Sequence, residues 1–526
     1  MLQTALEPSM DVMTPVPSRD NQVGLLGVVD TDGGKASNEH VSARVNAKGR
    51  LEAIRGRFVS INDSETRRTF LGRISGGPFF SDNGSGDIRI LIEVQGERTA
   101  TGTVDTRDRP TPGSPVSLLP HDDVASLLGC SGDMLLGTLA WCDGLPVGLQ
   151  SKSKDVLPRN MGIFGTVGSG KSNTAQVVIE EAARQGWAVI VLDVEGEYVA
   201  MDQPGTTPAL AESLAPFHRT PEGVSNFKVL HPASCASERK ESEAFTLRLA
   251  DFETPVVTEL IQATLSERNA LLDCVEHFLN KVWQRMQTTE AERLKSILDA
   301  SPQATRPFTL QQLYDRARER SPRTSELFDY LGLSTKLLWL MHSGAFDQAN
   351  MKSLDPAQML EAGRVTVIDV SVANDTVKNL ATADLLRKVF ALKVAQDDAP
   401  PTLVVIEEAH SFMSREKVAT MQATLQMLRN VTRRGRKRWL ATAFVSQQPG
   451  HLPAEIFELC NTRLVHTLRS MHNLESLMAT TSDITGDLWA RCPLLGTGEA
   501  ILSSPQLNRP AILKVRPASS SRKFTK

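Results

Sequence analysis

Gly165-Thr166-Val167-Gly168-Ser169-Gly170-Lys171-Ser172 constrains this chain more than any other stretch. It fits G-x-x-x-x-G-K-[ST] without substitution, and its flanks have the texture that the motif requires. A short apolar strand, Gly162-Ile163-Phe164, enters it, and an apolar helix carrying Ala175, Val177, Val178 and Ile179 leaves it. Glycines let backbone N–H groups turn inward around phosphate oxygens. The helix N-terminus adds its partial positive charge. Lys171 is therefore expected on the β- and γ-phosphates of ATP and Ser172 on Mg²⁺, with Gly165 through Gly170 as the cradle.

The pattern around the loop is α/β. Apolar runs alternate with helical patterns from about Lys152 onward, which predicts a parallel sheet. Trp187 to Leu192 is an uninterrupted apolar run suited to a strand buried on both faces. Further strands are expected at Arg364–Asp369, Leu403–Ile406 and Trp439–Val445. Residues 240–355 read as a helical insertion, with one apolar stripe at Val256, Leu260, Ile261 and Leu265. A second stripe runs through Leu271, Leu272, Val275, Phe278, Leu279 and Val282. Residues 22–150 differ in texture: short apolar stretches between Gly, Pro, Asp and Asn predict a small β-barrel. Asp82 to Asp87 reads as a loop between two of its strands. Residues 1–21 are expected to form a mobile arm, 151–239 and 356–510 the two parts of the α/β core, and 511–526 a tail. The stretch Ser519 to Lys523 is expected to be disordered.

Leu403-Val404-Val405-Ile406-Glu407-Glu408-Ala409-His410 is an apolar strand ending in two carboxylates. Ligands of open α/β sheets sit at the carboxyl ends of strands. Glu407 is assigned to the metal side and Glu408 to the attacking water; His410 has no assigned role. Asp193-Val194-Glu195-Gly196-Glu197-Tyr198 also follows a buried strand. Asp193 is expected to point into the same crevice, and solvated loop carboxylates are the alternative for both Asp193 and Glu197.

Composition decides how positive charge is used. Lys+Arg is 58 and Asp+Glu 61, for a net charge of −3, so contact with nucleic acid through bulk charge is excluded and must come from local clusters. The densest cluster is Arg429, Arg433, Arg434, Arg436, Lys437 and Arg438. It lies between the acidic strand and the next core strand, a position read as near the catalytic edge of the sheet. The following strand ends in Ser446-Gln447-Gln448-Pro449, where a γ-phosphate sensor, Gln447, is expected. Arg433 is the candidate for an arginine acting on the phosphates of an adjoining subunit. Arg434, Arg436 and Lys437 are candidates for nucleic-acid phosphates, and Arg159 for nucleotide contact. No apolar run approaches the roughly 18–20 residues that span a bilayer. The first 20 residues lack a signal peptide's basic start and apolar core. The six cysteines form no C-x-x-C pair. A cytoplasmic protein without a membrane anchor is expected.

These elements together resemble the HerA-type ATPases of the HerA–FtsK group of P-loop motors. Arg159 through Asn173 looks like the opening of that family's core, and Asp193 to Tyr198 is similar to its D-x-x-G-E-Y element. Ile406 to His410 resembles its Walker B strand. Arg433-Arg434-Gly435-Arg436-Lys437 with Val445 to Pro449 resembles its R-x-G-R-K and S-Q-R-P pair, and Cys460-Asn461-Thr462-Arg463 its C-N-T-R element. Gln448 stands where that motif usually has Arg, and Val194-Glu195 where Pro-His is commoner. The likeness covers most of residues 150–505.

The resemblance implies a RecA-like P-loop NTPase core with an N-terminal small β-barrel and an α-helical insertion. It implies a homohexamer around double-stranded DNA, with ATP and Mg²⁺ between subunits and a separate nuclease or other effector docked on the ring. Lys171, Ser172, Asn173, Asp193 and Arg159 would serve the nucleotide, Glu408 and Gln447 the hydrolysis, and Arg433 the neighbouring site. The activity implied is ATP-dependent DNA translocation or unwinding, in DNA processing or antiviral defence. The alternative is an ATP-binding ring scaffold that activates a partner enzyme without moving DNA. The chain contains no nuclease, sirtuin-type or protease motif.

Overall fold

The computed structural model describes residues 24–31, 40–46, 49–80, 88–99, 102–106, 108–140, 142, 144–286, 289–293, 308–321, 327–411 and 422–523. The expected arm (1–21) and the Asp82–Asp87 loop lie outside them. The chain divides into two units, Met1–Leu127 and Leu128–Lys526.

The first unit is a closed β-barrel. Its strands are β1 (Leu25–Val29), β2 (His40–Val45), β3 (Phe58–Asn62), β4 (Thr69–Phe80), β5 (Ile88–Thr99), β6 (Gly102–Val104) and β7 (Pro115–Leu118). They pair antiparallel in the order β2-β1-β7-β3-β4-β5, and β5 returns to β2 to close the ring. Closure leaves these strands no free edge, while β6 hangs on β5 as a short extra strand. Alternating side chains point inward, among them Leu26, Val41, Ala43, Val59, Ile61, Phe70, Ile90 and Ile92.

The second unit is built on a twelve-stranded sheet. Its strands are β8 (Met134–Leu139), β9 (Pro146–Leu149), β10 (Met161–Phe164), β11 (Ala188–Asp193), β12 (Phe227–Pro232) and β13 (Glu243–Phe245). They continue with β14 (Val365–Asp369), β15 (Thr402–Ile406), β16 (Leu440–Ser446), β17 (Thr462–Val465), β18 (Glu499–Ser503) and β19 (Ala511–Val515). The order is β13-β12-β14-β11-β15-β16-β10-β17-β18-β19-β8-β9. From β13 to β17 the pairing is parallel, and beyond β17 it is antiparallel. Strands β11, β14, β15 and β16 are buried at every residue, as strands covered on both faces require.

Two expectations are corrected here. Residues 134–149 were assigned to the barrel, but β8 and β9 pair with β19 in the large sheet. Periodicity identifies a strand and is silent about which sheet it joins. Residues 511–526 were assigned to a tail, yet Ala511–Val515 is β19 and the segment that follows is pinned to the helix Lys171–Arg184. Arg516, fully buried, reaches Glu180 at 3.1 Å and Glu181 at 2.9 Å. The Ser520 hydroxyl and N–H both donate to Glu180 Oε1, at 2.7 and 2.8 Å. Gln176 Nε2 donates to the Ser520 carbonyl at 2.9 Å.

The insertion contains the helices Thr254–Leu260, Leu265–Met286, Leu310–Arg320 and Leu327–His342. The expected stripe Val256-Leu260-Ile261-Leu265 is split between the first two, because Gln262 turns into the left-handed region and Leu265 points to solvent, 77% exposed. Leu271, Leu279, Leu313, Leu333 and Leu337 join one continuous core with Phe164, Ile190 and Leu192 of the sheet. The insertion is thus packed onto the sheet as one body. Among the described residues no helix is long and apolar enough to cross a membrane.

Removing the Arg516 side chain leaves Glu180 and Glu181 buried beside the gap. Arg516→Ala is expected to destabilise the second unit by ~3 kcal/mol, measured as a lowered urea midpoint, because a buried carboxylate without its partner is costly.

Candidate nucleotide site

The parallel strands bring their carboxyl ends to one edge of the sheet. In sheet order this edge presents Asp369 at the end of β14, Asp193 at the end of β11, Glu407 and Glu408 after β15, and Ser446 at the end of β16 with Gln447 after it. The phosphate loop after β10 and His466 after β17 complete it.

The loop is held from behind. The Thr166 N–H and hydroxyl both donate to the Thr467 carbonyl, at 2.9 and 3.0 Å. The Gly498 N–H donates to the Ser169 carbonyl at 2.9 Å. Gly170 has φ 106°, and a Cβ there would stand 2.9 Å from the Gly498 Cα, so both backbone and space demand glycine. Val167, at the tip, is 81% exposed, and Gly168 has φ 75° with open space around it. His466 is fully buried; its Nδ1 stands 2.8 Å from the Glu499 carbonyl and its Nε2 2.9 Å from the Thr174 hydroxyl. A carbonyl only accepts, so Nδ1 carries the proton and Nε2 accepts from Thr174. Burial, with the Lys171 charge adding to it, pulls the imidazole pKa down to about 4.

Lys171 and Glu408 meet across the crevice. Lys171 Nζ lies 2.8 Å from Glu408 Oε1, with side-chain exposures of 5% and 4%. Glu408 Oε2 takes the Gln447 N–H at 3.3 Å and lies 3.0 Å from His410 Nδ1. Burial alone would raise the Glu408 carboxyl, but His410 and the Lys171 ammonium outweigh it and hold the pKa at about 2. Glu408 has φ 42°, a left-handed backbone that costs a residue with a Cβ ~1 kcal/mol or more. The turn sends the two neighbouring acids in different directions.

Glu407 is turned inward, 1% exposed, and its Oε2 has no hydrogen-bond partner among the described residues. Burial, with the Asp193 and Glu197 charges close by, pushes its carboxyl well above the usual range. Asp193 is fully buried and accepts the N–H groups of Gly196, Glu197 and Tyr198 at 2.7, 3.1 and 2.9 Å. Burial raises it to about 6 despite those bonds.

Residues 135–389 match the family model described as "Helicase HerA, central domain". The DNA double-strand break repair helicase HerA of Sulfolobus acidocaldarius is 22% identical over 436 residues, covering 81% of this chain and 77% of that protein. The probable DNA double-strand break repair helicase HerA of Methanocaldococcus jannaschii is 22% identical over 464 residues, covering 82% and 84%. The VirB4 structure from Thermoanaerobacter pseudethanolicus superposes with a TM-score of 0.51 at 16% identity, over 74% of this chain and 97% of that one. The chain is a P-loop ATPase whose residues 135–389 are similar to the HerA central domain.

In this P-loop ATPase several expected site residues are engaged elsewhere. Asn173 donates to the Arg516 carbonyl at 2.8 Å and accepts from the Ala518 N–H at 2.9 Å, so the C-terminal segment uses the side chain expected at the nucleotide. Asp193, expected in the crevice, is spent on its own loop. Glu407, expected on the metal side, faces Asp193 instead. Arg159 precedes β10 and pairs with Asp155 at 2.7 Å, and Asp155 also holds Arg436 at 2.6 Å. These residues stand at the amino edge of the sheet, roughly 20 Å from the phosphate loop at ~3.3 Å per residue along β10. The Arg433 cluster lies on that same edge, since the helix Gln422–Arg434 and the turn Gly435–Arg438 lead directly into the start of β16. The expectation of a position near the catalytic edge is therefore corrected. A helix after a parallel strand returns the chain to the opposite edge. Arg433, Arg434 and Lys437 are exposed there.

The cradle fits a triphosphate: its glycine conformations and the buried Lys171 ammonium suit phosphate oxygens. Ser172 is half-buried, and its hydroxyl makes no hydrogen bond among the described residues. Among those residues no cluster of three or more His, Cys, Asp or Glu is placed to hold a metal alone. A cation at Ser172 would therefore share phosphate oxygens and water. Sequence reasoning passed over His466, whose only signal was its position after the Cys460–Arg463 element. It also set aside Glu195, whose carboxyl is raised by burial and by the Glu408 and Glu197 charges, opposed by Lys171 and His410.

His466 makes stability depend on pH. Its folded pKa of about 4 lies below the ordinary 6.5, so protonation favours the unfolded chain. Stability from this group is complete above about 6.5 and lost as pH falls through about 4, a loss on the order of 3 kcal/mol. His466→Gln is expected to flatten that part of the pH–stability curve in chemical denaturation.

Proposed function

We infer that this chain is an ATP-driven motor on double-stranded DNA, a translocase or helicase. It works as a ring of six and serves a separate nuclease or other effector in DNA processing or defence. The relatives named as DNA double-strand break repair helicases support the DNA substrate. The family resemblance carries the ring of six and the effector.

The observation that carries the ATPase reading is the Lys171–Glu408 contact of 2.8 Å. It puts a phosphate-binding cation and a low-pKa carboxylate at one point. An incoming γ-phosphate competes for the Lys171 ammonium and releases Glu408 to orient and deprotonate the attacking water. The Gln447 N–H keeps that carboxylate aimed, and the Gln447 side chain, at the end of β16, senses the γ-phosphate. Ser172 would hold Mg²⁺, which would supply neutralisation of the phosphate charge.

Arg433 and Arg159 act on a neighbouring copy. Both stand at the amino edge, and the nucleotide is bound at the carboxyl edge. Joining one edge to the other is a heterologous contact, which closes into a ring when the rotation per subunit allows it. Arg433, exposed on the last turn of its helix, is then the arginine presented to the neighbour's phosphates.

Glu408→Gln is expected to bind ATP normally and lose about 10²–10⁴-fold in turnover, measured by phosphate release; near wild-type turnover would remove Glu408 from the mechanism. Arg433→Ala is expected to assemble and lose about 10³-fold or more in turnover. Mixing it with Lys171→Ala subunits should restore part of the DNA-stimulated rate, because some interfaces then pair an intact loop with an intact arginine. An Arg433→Ala protein with full activity alone would contradict action in trans.

A further inference from the structure

Glu408 offers its two oxygens to different partners. Oε1 faces the Lys171 ammonium at 2.8 Å. Oε2 faces His410 Nδ1 at 3.0 Å and the Gln447 N–H at 3.3 Å. An ionised carboxylate only accepts, so Nδ1 carries the imidazole proton and donates to Oε2. Burial works against the charged form of this acid, and the His410 hydrogen bond stands first among the contacts that counter it. The roles given to Lys171, Glu408 and Gln447 leave the His410 ring unused.

The backbone places His410 for this contact. It sits on the short turn Ala409–Ser411 that follows β15, and Ala409 is fully buried, which anchors the turn. Strands β15 and β16 run parallel with Ile406 opposite Phe444, a register that sets Glu408 beside Ser446. Ser446 is fully buried at the end of β16. Its hydroxyl stands 3.3 Å from the same Nδ1 and accepts the Gln448 N–H at 3.2 Å. The imidazole is thus clamped between the acid and the end of β16, with its side chain 21% exposed.

We propose that His410 is a positioning residue for ATP hydrolysis: its Nδ1–H holds Glu408 Oε2 in place while Oε1, released by Lys171, faces the attacking water. The proposal rests on the reading of Glu408 as the base in the preceding subsection, and adds which oxygen acts and what steadies it. The water gives a proton to Oε1 as its oxygen bonds to the γ-phosphorus. The bond from that phosphorus to the bridging oxygen breaks, and its electron pair leaves with ADP. When the γ-phosphate draws Lys171 away, Oε2 keeps both of its donors, since neither belongs to the phosphate loop. A carboxylate held in one orientation spends less of its time with Oε1 turned away from the water. The hold therefore acts on turnover and not on binding.

The test measures kcat and KM for ATP by phosphate release, in the full chain carrying His410→Ala, His410→Gln or His410→Asn, with Glu408→Gln as the reference. An asparagine amide can put an N–H where Nδ1 stands, whereas a glutamine amide lies one methylene further out. His410→Ala and His410→Gln are expected to lose about 10–100-fold in kcat, the scale of one hydrogen bond to a charged group. Their KM should stay within about twofold of wild type, and His410→Asn should keep kcat within about fivefold. If His410→Ala does not fold, the contrast between Asn and Gln decides alone. Wild-type kcat in His410→Ala overturns the proposal. So does a loss that falls on KM, or an Asn variant as impaired as the Gln variant, because the N–H would then not be what matters. Wild-type turnover in Glu408→Gln overturns the base and the role of His410 with it. An impaired Glu408→Gln beside an unimpaired His410→Ala overturns the role of His410 alone.

Discussion

Lys171 and Glu408 stand 237 positions apart in the chain and meet at 2.8 Å in its interior. Everything needed for that contact is expensive on its own: a buried ammonium, a buried carboxylate and a left-handed backbone at Glu408. Each is tolerated because the parallel sheet holds β10 and β15 on either side of β16. That arrangement puts the phosphate loop and the acidic strand end on one edge. The pair also rests in a poised condition. A phosphate has more negative charge to offer the ammonium than a single carboxylate has, so on the proposed reading a bound triphosphate would exchange one partner for another and leave the acid free.

The helix that starts at Lys171 is braced from its far side. Asn173, Gln176 and Glu180 lie on one face of it, and all three hold the segment after β19. Arg522 continues this contact to Glu197 at 2.8 Å, in the loop whose N–H groups fasten Asp193. The last described residues therefore tie the phosphate-loop helix to the loop after β11. They act as a strap across two elements that must keep their spacing when a nucleotide enters. The charges in that strap are paired and largely removed from water, so they contribute specificity of docking more than net stability.

Two edges of one sheet carry two chemistries. The carboxyl edge holds the cradle and the acid. The amino edge holds the exposed Arg433 and Arg434. A parallel sheet with return helices enforces this polarity, because every connection carries the chain back to where the next strand begins.

Local chemistry was legible in the sequence. The glycine spacing from Gly165 to Gly170 with Lys171 after it announced the phosphate loop, and the apolar run into Glu407-Glu408 announced the acidic strand end, since both depend on neighbours along the chain. Long-range placement was not legible. That Glu408 rather than Glu407 faces Lys171, that Asn173 is taken by Arg516 and Ala518, and that Arg433 lies on the far edge all depend on the strands that pack together. So does the docking of residues 516–523, whose serines and charges read as solvated until Glu180 and Glu181 are seen waiting for them. Motif spacing records what a few consecutive residues do to a ligand. Strand order, burial and side-chain direction are set by contacts between segments hundreds of residues apart, and only the folded chain decides them.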